Sequence, residues 1–304
     1  MIVTERLTRR FGSIEAVRDL SLTVPDGSIC GFIGANGAGK TTTLKLLMNL
    51  IAPTSGQATV LGVDSRKLGP AHFAQIGYVS ENQELPDDLT TRQLLAYLRP
   101  FYPTWDDALA DRLCRLLDLP LDRRLKALSR GMRMKAAVAS SLAYRPRLLV
   151  MDEPFSGLDP VMRDDLVRGI LELAGDGGWS AIISSHDLQE IERLIDFVAY
   201  LEDGRLAFAE PIATLQARFR QVDVIAAPGA SLAALATPPP PAWLSYASTD
   251  RALRFIHSQY AGDDTERDLA ARFPDAQIQT TPISLRDTFI AVARERRRPE
   301  EARA

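Results

Sequence analysis

The sequence predicts an α/β protein in which helices cover both faces of a parallel sheet. Two observations lead to this prediction. First, continuous apolar segments alternate with helical ones; these segments are Ile29–Ile33, Leu148–Met151 and Ala181–Ser185. Such strands are typical of parallel sheets that are buried on both faces. Second, a glycine-rich loop at residues 34–42 connects the first of these strands to a segment with helical spacing.

This loop, the phosphate loop, matches the pattern G-x-x-x-x-G-K-[ST] in the strand–loop–helix context that the pattern requires. Glycines let the backbone wrap around an oxyanion, and a nest of N–H groups at a helix N-terminus suits a polyphosphate. Lys40 is expected to reach the β and γ phosphates, and the Thr41 hydroxyl to bind Mg²⁺. An ordinary glycine-rich turn is the alternative, but the context favours nucleotide binding. The candidate nucleotide-binding residues here are Gly34, Ala35, Asn36, Gly37, Ala38, Gly39, Lys40, Thr41 and Thr42.

The segments around the phosphate loop have the pattern of short strands. Residues 1–30 alternate between strand-like segments and turns, with a tight turn at Pro25–Gly27. Phe11 lies at another turn, and composition alone favours a core position for it. Further strands are predicted at Ala58–Gly62 and Ile76–Val79.

A largely helical region is predicted at about residues 84–146, unlike the segments on either side. It includes helical spacing from Thr90 to Tyr102 and a helix that begins near Gly131. Thr104 has the features of an N-cap for the helix between these two, because Asp107 follows three residues later.

The character of the sequence changes from about Val222. We therefore predict one domain at residues 1–220 and a small α+β accessory domain at residues 221–304. Pro238–Pro241 is interpreted as a rigid turn, with a ligand for a polyproline-binding domain as the alternative. The elements predicted after residue 190 are hairpin strands at Phe197–Leu201 and Leu206–Ala209, strands at Val222–Ala226 and Leu253–Ile256, a polar helix near Asp263–Arg272 and a final helix capped by Ser284.

Two adjacent carboxylates follow the apolar strand Leu148–Met151. Asp152 is expected to bind Mg²⁺ directly or through water, because Mg²⁺ prefers oxygen ligands. Glu153 is placed to orient or deprotonate an attacking water, and His186 follows another apolar strand. The alternative is that the two carboxylates only cap the next helix. The phosphate loop upstream favours the catalytic interpretation. A glutamate with a positioned histidine favours hydrolysis over phosphoryl transfer to a bound metabolite.

Composition limits the classes of function. The chain has 304 residues and a formal net charge of −3, so it has no general attraction to nucleic acid or anionic lipid. Its two cysteines have neither metal-site nor disulfide spacing. No apolar run approaches the roughly 18 residues of a membrane span, and the N-terminus has no apolar core like that of a secretory signal. We therefore expect a cytoplasmic globular protein without a nucleic-acid partner.

Several separated segments match the motifs of one family in the correct order: Gly34–Thr42 matches Walker A, Leu128–Met132 the signature sequence, Leu148–Glu153 Walker B with its catalytic glutamate, Ser156–Asp159 the D-loop and His186 the switch histidine. Over roughly residues 1–220 the chain resembles the ATP-binding subunit of an ABC transporter. Walker A alone occurs in many NTPases, whereas the ordered set is highly specific. The resemblance implies a P-loop NTPase cassette with a mixed-sheet core, an antiparallel β part and a helical subdomain.

The resemblance also implies partners and residue roles. In this family two cassettes pair head to tail with ATP between them, so Ser129 and Gly131 would contact the γ-phosphate bound by the partner cassette. Asp159 is assigned to the same nucleotide-contacting set. Phe11 takes the place of the aromatic residue that stacks on adenine, which reverses the preference for a core position. We therefore expect ATP and Mg²⁺ as cofactors and a second cassette as a partner, in a homodimer.

Two departures from the family pattern stand out. In the signature, Arg130 replaces the usual glycine and Met132 the usual closing glutamine. Glu81 stands where the family has the Q-loop glutamine, although Gln83 lies two residues further on and is the alternative. A glutamate still offers oxygen to Mg²⁺ or water, so Glu81 is assigned to the metal site and activity is expected. Both departures resemble exporter-type subunits that pair with a separate membrane protein.

The leading hypothesis is an ATPase that powers a membrane exporter from the cytoplasmic face of the cell membrane, with a separate integral membrane permease. A soluble ABC ATPase that acts on ribosomes or nucleic acid is the alternative. Ribosome-acting members carry two cassettes, and DNA-repair members carry long coiled coils, and neither feature is present here. A small-molecule P-loop kinase would leave the signature and His186 unexplained. Cargo specificity is expected to lie in the membrane subunit.

Overall fold

Two units make up the chain in the computed structural model, Met1–Glu210 and Pro211–Ala304. The structure describes residues 1–174, 178–228, 232 and 239–301. The sequence-based boundary at residue 220 is thus later than the structural division. The helix at Ile212–Arg218 belongs to the second unit.

Hydrogen bonds explain the earlier division. Arg218 Nη1 donates to the carbonyl of Ser258 at 2.8 Å, and Tyr260 N donates to the carbonyl of Arg218 at 2.9 Å. These bonds join the end of the helix to a strand end that lies about 40 residues further along the chain. Sequence periodicity alone does not reveal such partners.

Strands of the N-terminal unit form two sheets. The strands are β1 (Ile2–Phe11), β2 (Ile14–Val24), β3 (Ile29–Ile33), β4 (Ser55–Val60), β5 (Val63–Asp64), β6 (Ile76–Ser80), β7 (Leu148–Asp152), β8 (Ser180–Ser185), β9 (Phe197–Glu202) and β10 (Arg205–Pro211).

The central sheet has the strand order β10-β9-β3-β8-β7-β6. From β9 to β6, each strand is parallel to the next one in this order, and every residue of β7 and β8 is buried. β9 and β10 are joined through Asp203 and Gly204, whose φ angles of 48° and 79° suit a tight hairpin turn. The hairpin adds one edge strand to a parallel sheet, so the predicted mixed-sheet core is confirmed.

The second sheet has the order β2-β1-β4-β5, and its neighbouring strands are antiparallel. The pairing of β1 with β2 is interrupted by register shifts, and Arg6 and Asp19 have φ angles of 45° and 51°. Side chains from both sheets and from the helix after the phosphate loop form one buried apolar cluster. The antiparallel β part of the predicted fold is confirmed.

The helices of this unit are α1 (Lys40–Leu47), α2 (Pro70–Phe73), α3 (Thr91–Leu98), α4 (Asp107–Leu116), α5 (Arg130–Leu142) and α6 (Pro160–Ala174). Helices α3 to α5 lie within the region that the sequence predicts to be helical. The prediction that Thr104 caps α4 is wrong: Asp106 accepts a hydrogen bond from Leu109 N at 2.9 Å. Thr104 Oγ1 instead donates to the carbonyl of Tyr144 at 2.5 Å.

The C-terminal unit has a four-stranded antiparallel sheet with the order β12-β13-β11-β14. Trp243 stacks on Phe255 with ring centroids 3.9 Å apart, and Phe273 lies in the same apolar core. Pro239 and Pro240 are half-buried, while Pro238 lies outside the described residues. The elements are α7 (Ile212–Arg218), β11 (Arg220–Ala226), β12 (Trp243–Ser248), β13 (Ala252–His257), α8 (Asp263–Arg272), β14 (Ala276–Pro282) and α9 (Leu285–Glu301).

Candidate active site

The phosphate loop leaves the end of β3 and enters α1. Gly37 and Gly39 have φ angles of 85° and 99°, values that L side chains rarely adopt. Gly39 is the N-cap of α1, so the N-terminus of this helix opens directly onto the loop. Ala35, Asn36 and Gly37 are exposed, Gly34, Ala38 and Lys40 are buried, Thr41 is exposed and Thr42 half-buried.

Two glycines of the loop also lie against other backbone segments. A Cβ atom on Gly39 would lie 2.4 Å from the carbonyl oxygen of Ala16, and one on Gly34 would lie 2.5 Å from that of Leu201. Real Cβ atoms do not approach backbone oxygens so closely. The loop is therefore packed between β2 and β9 and requires glycine at both positions.

Oxygen atoms from three elements meet at the end of β7. Asp152 Oδ1 accepts hydrogen bonds from Thr41 Oγ1 at 3.0 Å and from Ser184 Oγ at 2.7 Å. The described part of the chain contains no cluster of three or more histidine, cysteine or acidic residues that could hold a metal. An oxygen-only set with few carboxylates fits Mg²⁺, which usually takes one or two carboxylates together with water and substrate phosphates.

Lys40, Glu153 and His186 form a continuous chain of polar contacts. Lys40 Nζ lies 3.0 Å from Glu153 Oε1 and donates to the carbonyls of Gly34 at 2.6 Å and Ala35 at 3.1 Å. His186 Nδ1 lies 2.8 Å from Glu153 Oε2. Because an ionised carboxylate only accepts, His186 donates through Nδ1. This chain links the predicted phosphate-binding lysine to the predicted base and histidine.

The backbone at Glu153 is in the left-handed region, with a φ of 51°. A non-glycine residue held in such a conformation costs about 1–3 kcal/mol and is found most often at functional sites. Ser184 Oγ accepts a hydrogen bond from Glu153 N at 2.9 Å and donates to Asp152, so one hydroxyl fixes both carboxylate residues. The bend turns the Glu153 side chain toward Lys40 and His186.

Two other titratable groups near the loop are kept neutral. Burial raises the pKa of Tyr78, and the charge of Asp152 raises it further. Burial, followed by the charge of Asp196, raises the pKa of the Cys30 thiol far above its usual range. A thiol of this kind is inert rather than nucleophilic.

The two candidates for the metal-side position after β6 differ in their contacts. Glu81 N donates to the carbonyl of Asp152 at 2.9 Å, and the Glu81 carboxylate pairs with Arg130. Gln83 turns back, and its Oε1 accepts from Ser80 N at 3.3 Å. The backbone of Glu81 is therefore tied to the end of β7 while its carboxylate contacts Arg130, and the Gln83 side chain closes its own turn.

The signature and D-loop residues lie at the starts of two helices. Ser129 is the N-cap of α5 and accepts from Met132 N at 3.3 Å. Gly131 is buried, and a Cβ there would lie 2.2 Å from Met162 Sδ. Asp159 Oδ1 accepts from Met162 N at 2.9 Å at the start of α6. In the part of the chain that the structure describes, no hydrogen bond joins Ser129, Gly131 or Asp159 to the phosphate loop.

Phe11 lies at the end of β1 and is 46% exposed, with the guanidinium of Arg9 4.5 Å from its ring centroid. A core position, which composition alone favours, does not agree with this exposure. An exposed aromatic face is available for stacking.

Four polar residues support the site without being predicted from the sequence: Ser184, Ser185, Arg163 and Glu190. Ser184 holds both carboxylate residues, as described above, and Ser185 Oγ donates to Glu190 Oε2 at 2.7 Å. Arg163 Nη2 pairs with Glu190 Oε1 at 3.0 Å, which ties α6 to the segment after His186. A usable signal was present for the serines only, because two hydroxyls end an otherwise apolar strand.

Comparison with known proteins decides the family. Residues 17–156 match the family model described as ABC transporter. The ABC transporter ATP-binding protein YtrB of Bacillus subtilis (strain 168) is 33% identical over 206 residues, which cover 68% of this chain and 70% of that protein. The chain belongs to the ABC transporter family.

Further relatives of this ABC protein are also ATP-binding subunits of transporters. The bacitracin transport ATP-binding protein BcrA of Bacillus licheniformis is 34% identical over 223 residues, or 73% of each chain. A solved structure of an ATP-binding subunit of an ABC transporter matches with a TM-score of 0.64 and 26% identity, covering 71% of this chain and 92% of that one. This ABC protein is thus an ATP-binding and ATP-hydrolysing subunit that supports transport. Among its described helices, none is long and apolar enough to cross a membrane.

Proposed function

We propose that two copies of this ABC subunit close around ATP and open after hydrolysis, and that this cycle drives a separate integral membrane permease in export. The observation that carries the proposal is the linked set Lys40–Glu153–His186 beside Thr41–Asp152 at one sheet edge. It combines a phosphate-binding cation, a base and a metal-side carboxylate. Ser129, at the exposed start of α5, supplies a second anion-binding surface for a partner copy.

Each residue has a defined task in the proposed reaction. Lys40 exchanges its contact with Glu153 for the β and γ phosphates of ATP, which frees one carboxylate oxygen. Glu153 then orients the attacking water and accepts its proton while the new P–O bond forms and the bond to ADP breaks. His186, which donates to the other oxygen of Glu153, keeps the carboxylate in place. Mg²⁺ would be held by Thr41 and Asp152 and would neutralise phosphate charge.

The proposed assembly places the subunit on the cytoplasmic face of the cell membrane. Relatives named as transport ATP-binding proteins support this placement. Two-state switching by ATP requires that closed and open pairs bind the nucleotide differently. In the closed pair, the phosphate loop of one copy and the signature of the other would contact the same ATP, whereas in the open pair only the phosphate loop would contact it. Affinity purification from membranes checks the arrangement: an integral membrane partner supports it, whereas recovery with ribosomes or nucleic acid contradicts it.

The Glu153→Gln variant tests the proposed mechanism. The amide keeps the shape of the side chain but cannot accept a proton, so ATP turnover should fall at least about 100-fold. ATP binding should persist, because Lys40, Thr41 and Asp152 are unchanged. Phosphate release measures turnover, and size-exclusion chromatography in Mg-ATP should show an accumulated dimer.

The matched control is Glu192→Gln, which changes an exposed carboxylate near the same segment. It should hydrolyse ATP at the wild-type rate and have the same oligomeric state as the wild type in Mg-ATP. Wild-type turnover in the Glu153→Gln variant would remove Glu153 from the reaction. A variant that binds ATP but stays monomeric would contradict closure of a homodimer.

A further inference from the structure

Two residues that depart from the family pattern contact each other. Glu81, in the place of the Q-loop glutamine, and Arg130, in the place of the signature glycine, are 49 positions apart and form an ion pair between Oε1 and Nη2. Their side chains are 32% and 54% exposed, so water still reaches the pair. Either change alone would leave a charge without this partner.

The backbone on each side of this ion pair is fixed. Glu81 N donates to the carbonyl of Asp152, and Ser80 is in register with Asp152, so the backbone of Glu81 is tied to the end of β7. Arg130 is the first residue of α5 and follows the N-cap Ser129. The ion pair therefore joins the end of β6 to the start of the signature helix.

Arg130 also lies against the D-loop. A Cβ atom on Gly157, which has a φ of 69°, would be 3.4 Å from Arg130 Nη1. The guanidinium therefore occupies the space between the end of β6, the start of α5 and the D-loop. A lysine at this position would retain the charge but not the planar, forked geometry of arginine.

The charge of Glu81 makes a partner necessary. The backbone of Glu81 is bonded to that of Asp152, and Glu153 follows Asp152 in the chain, so three acidic residues meet at this end of the sheet. ATP adds further negative charge there. An unpaired Glu81 carboxylate would repel the phosphates, whereas a guanidinium on that carboxylate removes most of the repulsion.

We propose that Arg130 is a positioning residue for Glu81: it neutralises this carboxylate and ties the end of β6 to the signature helix, so the two departures work only together. The inference rests on the proposed function of the site in ATP hydrolysis. It changes what is expected of single substitutions. Restoring the family's usual residue at one position alone is harmful, because it leaves the other charge unpaired.

A double-mutant cycle tests this inference with Glu81→Gln, Arg130→Gly and the variant that carries both. Each single substitution should lower kcat about fivefold, the effect of about 1 kcal/mol expected for a partly exposed ion pair. The double variant should return to within about twofold of the wild-type kcat. Additive losses, with the double variant near 25-fold below wild type, would overturn the proposal.

A second measurement does not depend on turnover. ATP affinity is titrated in EDTA, where Arg130→Gly should weaken binding about fivefold because Glu81 is no longer neutralised. Arg130→Lys, which keeps the charge, should remain within about twofold of wild type, and so should the double variant. Equal losses in Arg130→Lys and Arg130→Gly would exclude the charge-based role.

A second ion pair on α5 provides the matched control. Arg133 Nη1 lies 2.7 Å from Asp87, which is in the same loop after β6 but away from the sheet edge. Asp87→Asn should leave kcat within about twofold of wild type and should combine additively with Glu81→Gln. If it shows the same coupling, the effect belongs to the loop as a whole and the specific role of Arg130 is refuted.

The two proposals fail in different ways. If the wild-type protein shows no turnover, or if Glu153→Gln retains it, the proposed mechanism fails, and the affinity cycle in EDTA still decides the ion-pair proposal. If Glu153→Gln behaves as expected while the cycle is additive in both kcat and affinity, only the role of Arg130 fails.

Discussion

The two units of this chain differ in what they bury. The N-terminal unit buries charged side chains: Lys40, Asp152, Glu153 and Glu190 are each at most 8% exposed. In the C-terminal unit, over its described residues, the buried polar side chains are threonines, and the core consists of stacked aromatic rings and aliphatic groups.

This difference indicates which unit carries the chemistry. Removing an ion from water costs several kcal/mol unless a partner compensates. Each buried ion named above has such a partner, namely Lys40 with Glu153, Asp152 with Ser184, and Glu190 with Arg163. An apolar aromatic core needs no such compensation. We therefore expect catalysis to depend on the first unit, and the second unit to contribute stability or assembly.

The largest effect is expected where a buried charge meets the nucleotide. Lys40→Ala removes the cation that lies between the loop carbonyls and Glu153, so ATP affinity should fall at least about tenfold, equivalent to about 1.4 kcal/mol. Turnover should fall to background. Isothermal titration with ATP measures the affinity, and Lys45→Ala, at an exposed position of the same helix, is the control. Wild-type affinity in Lys40→Ala would show that the buried charge does not bind phosphate.

A smaller effect on ATP affinity is expected from a buried charge that does not contact the nucleotide. Arg163→Met leaves Glu190 buried without its cation, so the free energy of unfolding should fall by about 2 kcal/mol, measured by urea titration. ATP affinity should stay within about twofold, whereas kcat should fall, because Glu190 anchors Ser185 next to His186. In the control Arg168→Met, an exposed ion pair on the same helix is broken, and stability should change by less than about 0.5 kcal/mol. An equal change in both variants would contradict the comparison.

How much of this could be predicted from the sequence depends on the range of the interactions. The phosphate loop, α1 and the carboxylates after β7 are local features, and glycines, an apolar strand and a helical pattern are sufficient to locate them. The pairing of Glu81 with Arg130 joins positions 49 residues apart and is invisible to any local pattern. The same holds for Arg163 with Glu190.

The fold shows the same limit. Apolar strands predict a parallel sheet, but only the folded chain reveals that β3 lies between β8 and β9. The register shifts in β1 place Arg6 in a left-handed conformation that no sequence rule assigns to arginine. Spacing predicts Thr104 as the N-cap of α4, whereas Asp106, which is adjacent to the helix, caps it in the structure.

The smallest effect on the nucleotide site is expected from removing the C-terminal unit. A chain that ends after Glu210 should bind ATP within about twofold of the full-length affinity, because every residue proposed to contact the nucleotide lies before that point. A chain that ends after Arg220 keeps α7 without the hydrogen bonds that Arg218 makes with Ser258 and Tyr260. We expect limited proteolysis to remove α7 from the longer fragment and to spare the shorter one.

Loss of ATP binding in the shorter fragment would contradict the assignment of the nucleotide site to the first unit alone, since the second unit would then be needed for binding. Wild-type binding together with a change in the nucleotide-free oligomeric state, measured by light scattering, would assign the second unit to assembly.

The close approach of Gly39 to Ala16 has a consequence for descendants of this protein. A side chain at position 39 would collide with a β2 carbonyl 2.4 Å away whether or not any phosphate is bound. Selection for a folded chain is therefore sufficient to retain this glycine. In a duplicated copy that no longer hydrolyses ATP, Lys40 and Glu153 can be substituted, whereas Gly39 is still required for folding. A glycine at this position therefore indicates a common fold, and only the lysine beside it indicates that the copy is still active.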